Sequence, residues 1–293
     1  MEAEIIRCIQ SIHNGFLDSF FTGITMLGEE YFYSMILSII YWCYNKKLGY
    51  RLGFTFLSST VVNSGVKVII HRARPIGIEG IRSLRTDTAT GYSFPSGHTQ
   101  GATAFWSSLM ISIRKGWIIL LGVIMIVFIG FSRIYLGNHW PTDVIGAIII
   151  GIIWVIFCNF IFNASLEKSN KGVLLIIILP ALIGLFFFKD MDYFKGMGMF
   201  LGFYIGYVVE TRYINFNEKV GFTKQIFKLI FGLGIFLLIK IGLKVILPQI
   251  LIAGMFRYLV LGLWITCGAT FCFKKIKIFK NERARVFKME LHR

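Results

Sequence analysis

Long apolar stretches alternate with short polar ones along almost the whole chain. Several approach the roughly 20 residues that carry a helix across a bilayer. Nine candidate spans lie near 21–44, 51–71, 98–113, 117–136, 141–162, 172–188, 196–210, 226–247 and 255–273. A bilayer leaves no water for unpaired backbone groups, so such stretches are expected as helices. The pattern therefore predicts an all-α, polytopic membrane bundle. Residues 1–20 place Ile5, Ile6, Ile9, Ile12, Phe16 and Phe20 on one apolar face, which suits a helix lying along the interface.

Composition agrees with this reading. Of 293 residues, 56% are hydrophobic and only 16% charged, too few charges for a soluble domain of this size. The opening Met1-Glu-Ala-Glu4 lacks a basic n-region, so no cleavable signal peptide is expected. The formal net charge of +16 invites a nucleic-acid reading. Its distribution argues against one, because the surplus sits in loops between spans and in the tail, where it sets topology and meets lipid headgroups. Five cysteines show neither a CxxC pair nor metal spacing and are expected to be inert thiols.

Polar chemistry gathers in two loops. Residues 72–97 form the longest polar connection, and 137–140 is a short one. In an alternating topology both open on the same side of the membrane. Most lysines and arginines lie on the opposite side, among them Lys46, Lys47, Arg114, Lys115, Lys219, Lys228 and the tail. The positive-inside rule then places the tail in the cytoplasm and both polar loops outside it, in a plasma (inner) membrane.

Three motifs stand at these loops. They are Lys67-x6-Arg74-Pro75, Pro95-Ser96-Gly97-His98 and Ser132-Arg133-x5-His139-x3-Asp143. Lys67, Arg74 and Arg133 can carry the charge of a phosphate ester, and the arginine fork meets two phosphate oxygens at once. Ser96 and the Gly97 N–H precede the third span, where a helix N-terminus offers free N–H groups to an anion. If Pro141 opens the fifth span, His139 and Asp143 lie within reach of each other. The carboxylate can then orient the imidazole as a nucleophile. His98, on another segment, is free to act as general acid. Taken singly, a lysine or arginine at a span end ordinarily snorkels to headgroups, and a lone histidine is ordinarily a satisfied polar residue. Several ionisable residues at span mouths on one face point instead to a functional site. His71, Arg72, Arg82 and Arg85 are read as headgroup contacts or as cations that recruit an anionic substrate. Glu29 and Glu30 either line the site or mark the outer end of the first span.

The three motifs, in this order, resemble those of the type 2 phosphatidic acid phosphatase superfamily, over residues 50–160. The resemblance implies a six-span helical core and a metal-independent phosphatase that needs no cofactor. It implies that His139 forms a phosphohistidine and that His98 protonates the leaving oxygen. Lys67, Arg74, Ser96, Gly97 and Arg133 would bind the phosphoryl oxygens. Leu27-Gly-Glu-Glu-Tyr-Phe-Tyr33 followed by Tyr41-Trp42 is also similar to the sphingosine-phosphate phosphatase branch. Residues 1–165 are thus expected to be the catalytic core, and 166–293 about three further spans with a basic tail. The expected substrate is a membrane lipid phosphate or diphosphate: polyprenyl diphosphate, phosphatidate, phosphatidylglycerol phosphate or sphingoid-base phosphate. Transfer to a lipid or sugar acceptor is the alternative, and a transporter or scaffold with a degenerate site the remaining one.

Overall fold

The computed structural model describes residues 1–167 and 171–276; Lys168 and the basic tail from 277 onward lie outside them. All regular structure among the described residues is helical. Twelve α-helices follow in order: α1 (Glu2–Gln10), α2 (Gly15–Met26), α3 (Glu30–Ile39), α4 (Lys46–Ile70), α5 (Gly97–Ile113), α6 (Gly116–Tyr135), α7 (Pro141–Glu167), α8 (Leu175–Phe187), α9 (Met191–Val209), α10 (Phe222–Ile246), α11 (Leu251–Leu263) and α12 (Ala269–Lys275).

Among the described residues, five stretches are long and apolar enough to cross a membrane: Lys46–Ile70, Gly116–Tyr135, Pro141–Ser165, Phe222–Ile246 and Leu251–Lys275. The other expected spans fall on shorter or more polar helices. The first, 21–44, is broken between α2 and α3. Gly28 at the break has no side chain to separate it from the next helices. A Cβ there would lie 2.8 Å from Ile129 and 3.2 Å from His98. The sixth is shortened to α8, which carries Pro180 inside it.

The described chain forms two compact units. The first comprises 1–34 and 55–196, the second 35–54 and 197–276. In the first unit, α5 packs along both α6 and α7. Small residues allow this approach: a Cβ at Gly151 of α7 would sit 2.8 Å from Thr103 of α5. Burial of Ala102, Ala104, Phe105, Ile129, Leu136 and Ala147 fills the seam. This arrangement brings the start of α5, the end of α6 and the start of α7 to one end of the unit.

In the second unit, α9 and α11 meet at glycines, with a Cβ at Gly202 only 2.1 Å from the Leu259 carbonyl. Three π-helical turns, Ile40–Tyr44, Glu210–Ile214 and Trp264–Gly268, interrupt its helices. Lys46 pairs with buried Glu210 at 3.2 Å. Lys228, expected among the exposed topology-setting cations, is instead fully buried. Its ammonium is held by the carbonyls of Trp42, Asn217 and Glu218 and lies near the rings of Phe216 and Phe273.

Candidate active site

The first motif spans the end of α4. Lys67 stands in its last turn, and His71, at φ 53°, takes the chain out of the helix. Arg74 then follows in the loop, fixed by neutral acceptors. Its Nε donates to the Gly91 carbonyl (3.0 Å), its Nη2 to the Thr90 carbonyl (2.6 Å) and its Nη1 to the Asn138 carbonyl (3.0 Å). These partners hold the guanidinium without cancelling its charge. Burial pulls its pKa down to about 10, which leaves it protonated at neutral pH.

The second motif builds the start of α5. Gln100 donates its backbone N–H to the Ser96 carbonyl, so Ser96 caps the helix with its backbone while its side chain makes no cap bond. The N–H groups of the first turn therefore stay available to an anion. Asn63 of α4 bonds the Pro95 carbonyl and Gln100, which ties this turn to the first motif's helix. His98 follows, with a buried Nε2 that has no hydrogen-bond partner.

The third motif joins α6 to α7. Gly137, at φ 67°, turns the chain so closely under the loop that a Cβ would meet the Arg82 carbonyl at 2.2 Å. Arg133, before the turn, is fully buried. Its Nη1 donates to Thr25 Oγ1 at 2.8 Å, while Nε and Nη2 are buried without partners. After the turn, Pro141 opens α7, as its spacing predicts, and Asp143 sits in the first turn. The Asp143 carbonyl accepts the Ser96 N–H at 3.1 Å and joins the second motif to the third.

His139 and Asp143 are both buried, and the imidazole Nδ1 lies 3.5 Å from Asp143 Oδ2. The other ring nitrogen, Nε2, lies 2.9 Å from Arg74 Nη1. A guanidinium can only donate, so Nε2 carries the lone pair and Nδ1 the proton. Burial, and then the charges of Arg74, Arg133 and Lys67, hold His139 well below the usual imidazole range. The ring is thus neutral at pH 7, with its lone pair facing the cations. Lys67 lies close enough to Arg74 and Arg133 for their charges to interact. All eight expected site residues therefore belong to one cluster: four side chains and the Ser96–Gly97 backbone surround the imidazole–carboxylate pair.

Several contributing residues escaped the sequence reading. Ser93 donates its hydroxyl to Asp143 Oδ2 at 2.5 Å and lies 3.4 Å from His139 Nδ1. Trp140 donates its backbone N–H to the same carboxylate oxygen at 2.9 Å. Arg72, read as a headgroup contact or a cation that recruits anionic substrate, bonds Asp143 Oδ1 at 2.8 Å, lies against the Trp140 ring and is itself ion-paired with Glu2. Glu2 also accepts from Thr142, and Gln10 bonds the Arg82 and Tyr135 backbones. The first helix, expected along the interface, is thus latched by its polar face over the loop 72–96 and the α6–α7 turn. The adjacent Arg-x-Arg spacing of Arg72 and Arg74 was the available signal.

Arg72→Gln should lower kcat about tenfold while KM for the phosphate substrate moves less than threefold. The carboxylate would keep its Ser93 and Trp140 bonds but lose the charge-assisted one that sets its angle. Equal changes in kcat and KM, or none, would remove Arg72 from the positioning of Asp143.

A buried, electropositive cluster around a neutral imidazole oriented by a carboxylate, in a bundle of apolar helices, has the chemistry to hold a phosphate group. The chain matches the PAP2 superfamily model over residues 48–167 and, over 194–283, the model for the PAP2 superfamily phosphatase transmembrane extension. It is 34% identical over 161 residues to undecaprenyl-diphosphatase BcrC of Bacillus subtilis, covering 52% of this chain and 80% of that one. An undecaprenyl-diphosphatase of Sulfolobus acidocaldarius is 27% identical, over 53% of this chain and 75% of its own. Phosphatidylglycerophosphatase B of B. subtilis is 28% identical, over 48% of this chain and 73% of its own. The chain belongs to the PAP2 superfamily and is an integral membrane lipid phosphatase.

Proposed function

We propose that the enzyme hydrolyses a polyprenyl diphosphate through a phosphohistidine on His139, without a metal ion. The observation that carries this reading is Arg133: a buried guanidinium with two unpartnered N–H groups, coupled to Arg74 and His139, needs an anion to complete it. The terminal phosphoryl group would lie between Lys67, Arg74, Arg133 and the Ser96–Gly97 N–H groups. His139 Nε2 attacks phosphorus as the bond to the bridging oxygen breaks. His98 gives that oxygen a proton, and polyprenyl monophosphate leaves. Water then attacks phosphorus, gives a proton back to His98, cleaves the P–N bond and releases orthophosphate. Asp143 stabilises the imidazolium character that develops on His139 and holds its tautomer. The cations act where charge spreads over the phosphoryl oxygens, in a site from which most water is excluded.

The choice of polyprenyl diphosphate is supported by the two undecaprenyl-diphosphatases among the relatives. Placement of the site outside the cytoplasm follows from the lysine and arginine bias, and with it a plasma membrane location and a cytoplasmic C-terminal tail. In this reading residues 1–165 are the catalytic core, and 166–293 add further spans with the tail.

The test is orthophosphate release by purified protein in detergent with EDTA, across a panel of the four lipid phosphates. Polyprenyl diphosphate should be turned over with the highest kcat/KM, and EDTA should change the rate less than twofold. Restoration of a lost rate by magnesium would reject the metal-independent mechanism. Release that appears only when a lipid or sugar alcohol is added would indicate transfer instead of hydrolysis.

A further inference from the structure

Arg85 and Glu29 form an ion pair that the chemistry above does not use. Arg85 donates through both Nε and Nη2 to Glu29 Oε1, and the two side chains are only 22% and 17% exposed. The pair stands beside the site. Glu29 follows Gly28, whose backbone packs against His98: a Cβ at Gly28 would lie 3.2 Å from the His98 Cβ and Cδ2. Both Glu29 and Arg85 are near enough to Arg133 for their charges to act on it. Arg85 is also fixed at the backbone, in the left-handed region at φ 57°. The residue before it bonds the third motif's turn in both directions, Leu84 N–H to the Leu136 carbonyl at 3.0 Å and Asn138 Nδ2 to the Leu84 carbonyl at 2.9 Å. A non-glycine residue held at positive φ by such contacts is placed, not free to follow solvent.

The direction of the reaction gives this position a meaning. His139 Nε2 attacks from the side of Arg74, so the leaving oxygen points away from it, towards His98. Whatever the leaving oxygen carries continues past His98 to the neighbourhood of Gly28, Glu29 and Arg85. For a phosphate monoester that is carbon, which gains nothing from a guanidinium. For a diphosphate it is a second phosphate.

We propose that Arg85 is the binding residue for the second, non-transferred phosphate of a diphosphate substrate, with Glu29 as its resting counter-ion. This rests on the phosphatase reading and specifies its substrate class. The bound second phosphate takes over the N–H donors that Glu29 accepts from. Its two to three charge-bearing oxygens suit the guanidinium fork better than one carboxylate oxygen does. Glu29 also repels that phosphate, so it weakens binding while it keeps Arg85 in place. Removing its charge and removing Arg85 therefore have opposite effects on selectivity.

The experiment compares farnesyl diphosphate with farnesyl monophosphate as substrates of the full chain in detergent. Arg85→Gln should lower the ratio of kcat/KM for the diphosphate over the monophosphate by about tenfold or more, the scale of a lost charge-assisted contact. Glu29→Gln should raise the same ratio by about threefold. Ratios within twofold of wild type in both variants would make the pair a structural latch and overturn the proposal. The same holds if both variants lower the ratio alike. Calorimetric titration with inorganic pyrophosphate and with orthophosphate keeps the two readings separable. If wild type hydrolyses neither farnesyl substrate, the polyprenyl-diphosphate reading fails. A pyrophosphate preference that Arg85→Gln abolishes would then still support the subsite, and no such preference would sink it.

Discussion

His139→Ala abolishes turnover: phosphate release falls by about 10⁵-fold or to background, while the protein elutes and melts as wild type does. The magnitude follows from the kind of group removed. An enzyme that has lost its nucleophile keeps only binding and electrostatics, and residues that act as one unit lose nearly everything with the first member. The fold survives because the imidazole contributes no apolar core. Its ring nitrogens meet only Arg74, Ser93 and Asp143, and each of these has other hydrogen-bond partners in the site. The wild-type ring is already neutral at pH 7, since burial and three cations keep protons off it. No loss of activity can therefore be ascribed to the protonation of a nucleophile that alanine lacks. Two measurements decide the matter: single-turnover phosphate release, and capture of a labelled acid-labile phosphoenzyme. Turnover within tenfold of wild type would move the nucleophile elsewhere.

Arg133→Met separates stability from activity. This guanidinium is fully buried, its one hydrogen bond goes to Thr25, and two nitrogens have none. A buried charge so poorly compensated opposes folding. A flexible apolar side chain of similar length should stabilise the protein by about 1–3 kcal/mol. The same substitution removes a donor aimed at the developing charge of the phosphoryl group, and kcat/KM should fall about 10³-fold. Thermal unfolding in detergent reads the first effect and phosphate release the second. Inorganic phosphate supplies a control, since it should raise the melting temperature of wild type and not of the variant. A variant that melts lower and keeps its activity would contradict both halves of the argument. In the proposed mechanism an anion relieves the strain of the unpaired cations, so binding and catalysis draw on the same groups.

Much of this was legible in the chain itself. A bilayer admits few spanning structures, so apolar length alone announced an all-helical membrane protein. The proline at position 141 and the four-residue step from His139 to Asp143 are local features, and local geometry carried them into the first turn of α7. Lys67, Arg74, His98 and Arg133 could be picked out because ionisable residues at span mouths are rare and expensive, and Ser96 and Gly97 because they precede a helix N-terminus. Other features depend on contacts between segments far apart in sequence, which no local pattern encodes. Glu2 reaches Arg72 and Thr142 across 70 and 140 residues, and Arg72 reaches Asp143 across 71. At the break, Gly28 stands where His98 and Ile129 leave no room for a side chain. Lys228, counted among the cations on the cytoplasmic side, is a buried one because three backbone carbonyls and two aromatic rings converge on it. The sequence by itself determined the helices, the membrane and the list of reactive groups, since these follow from hydrophobicity and short-range geometry. Only the tertiary structure decided which imidazole nitrogen faces the cations, which arginine steadies Asp143 and where Arg85 stands, since packing fixes the positions of side chains in space.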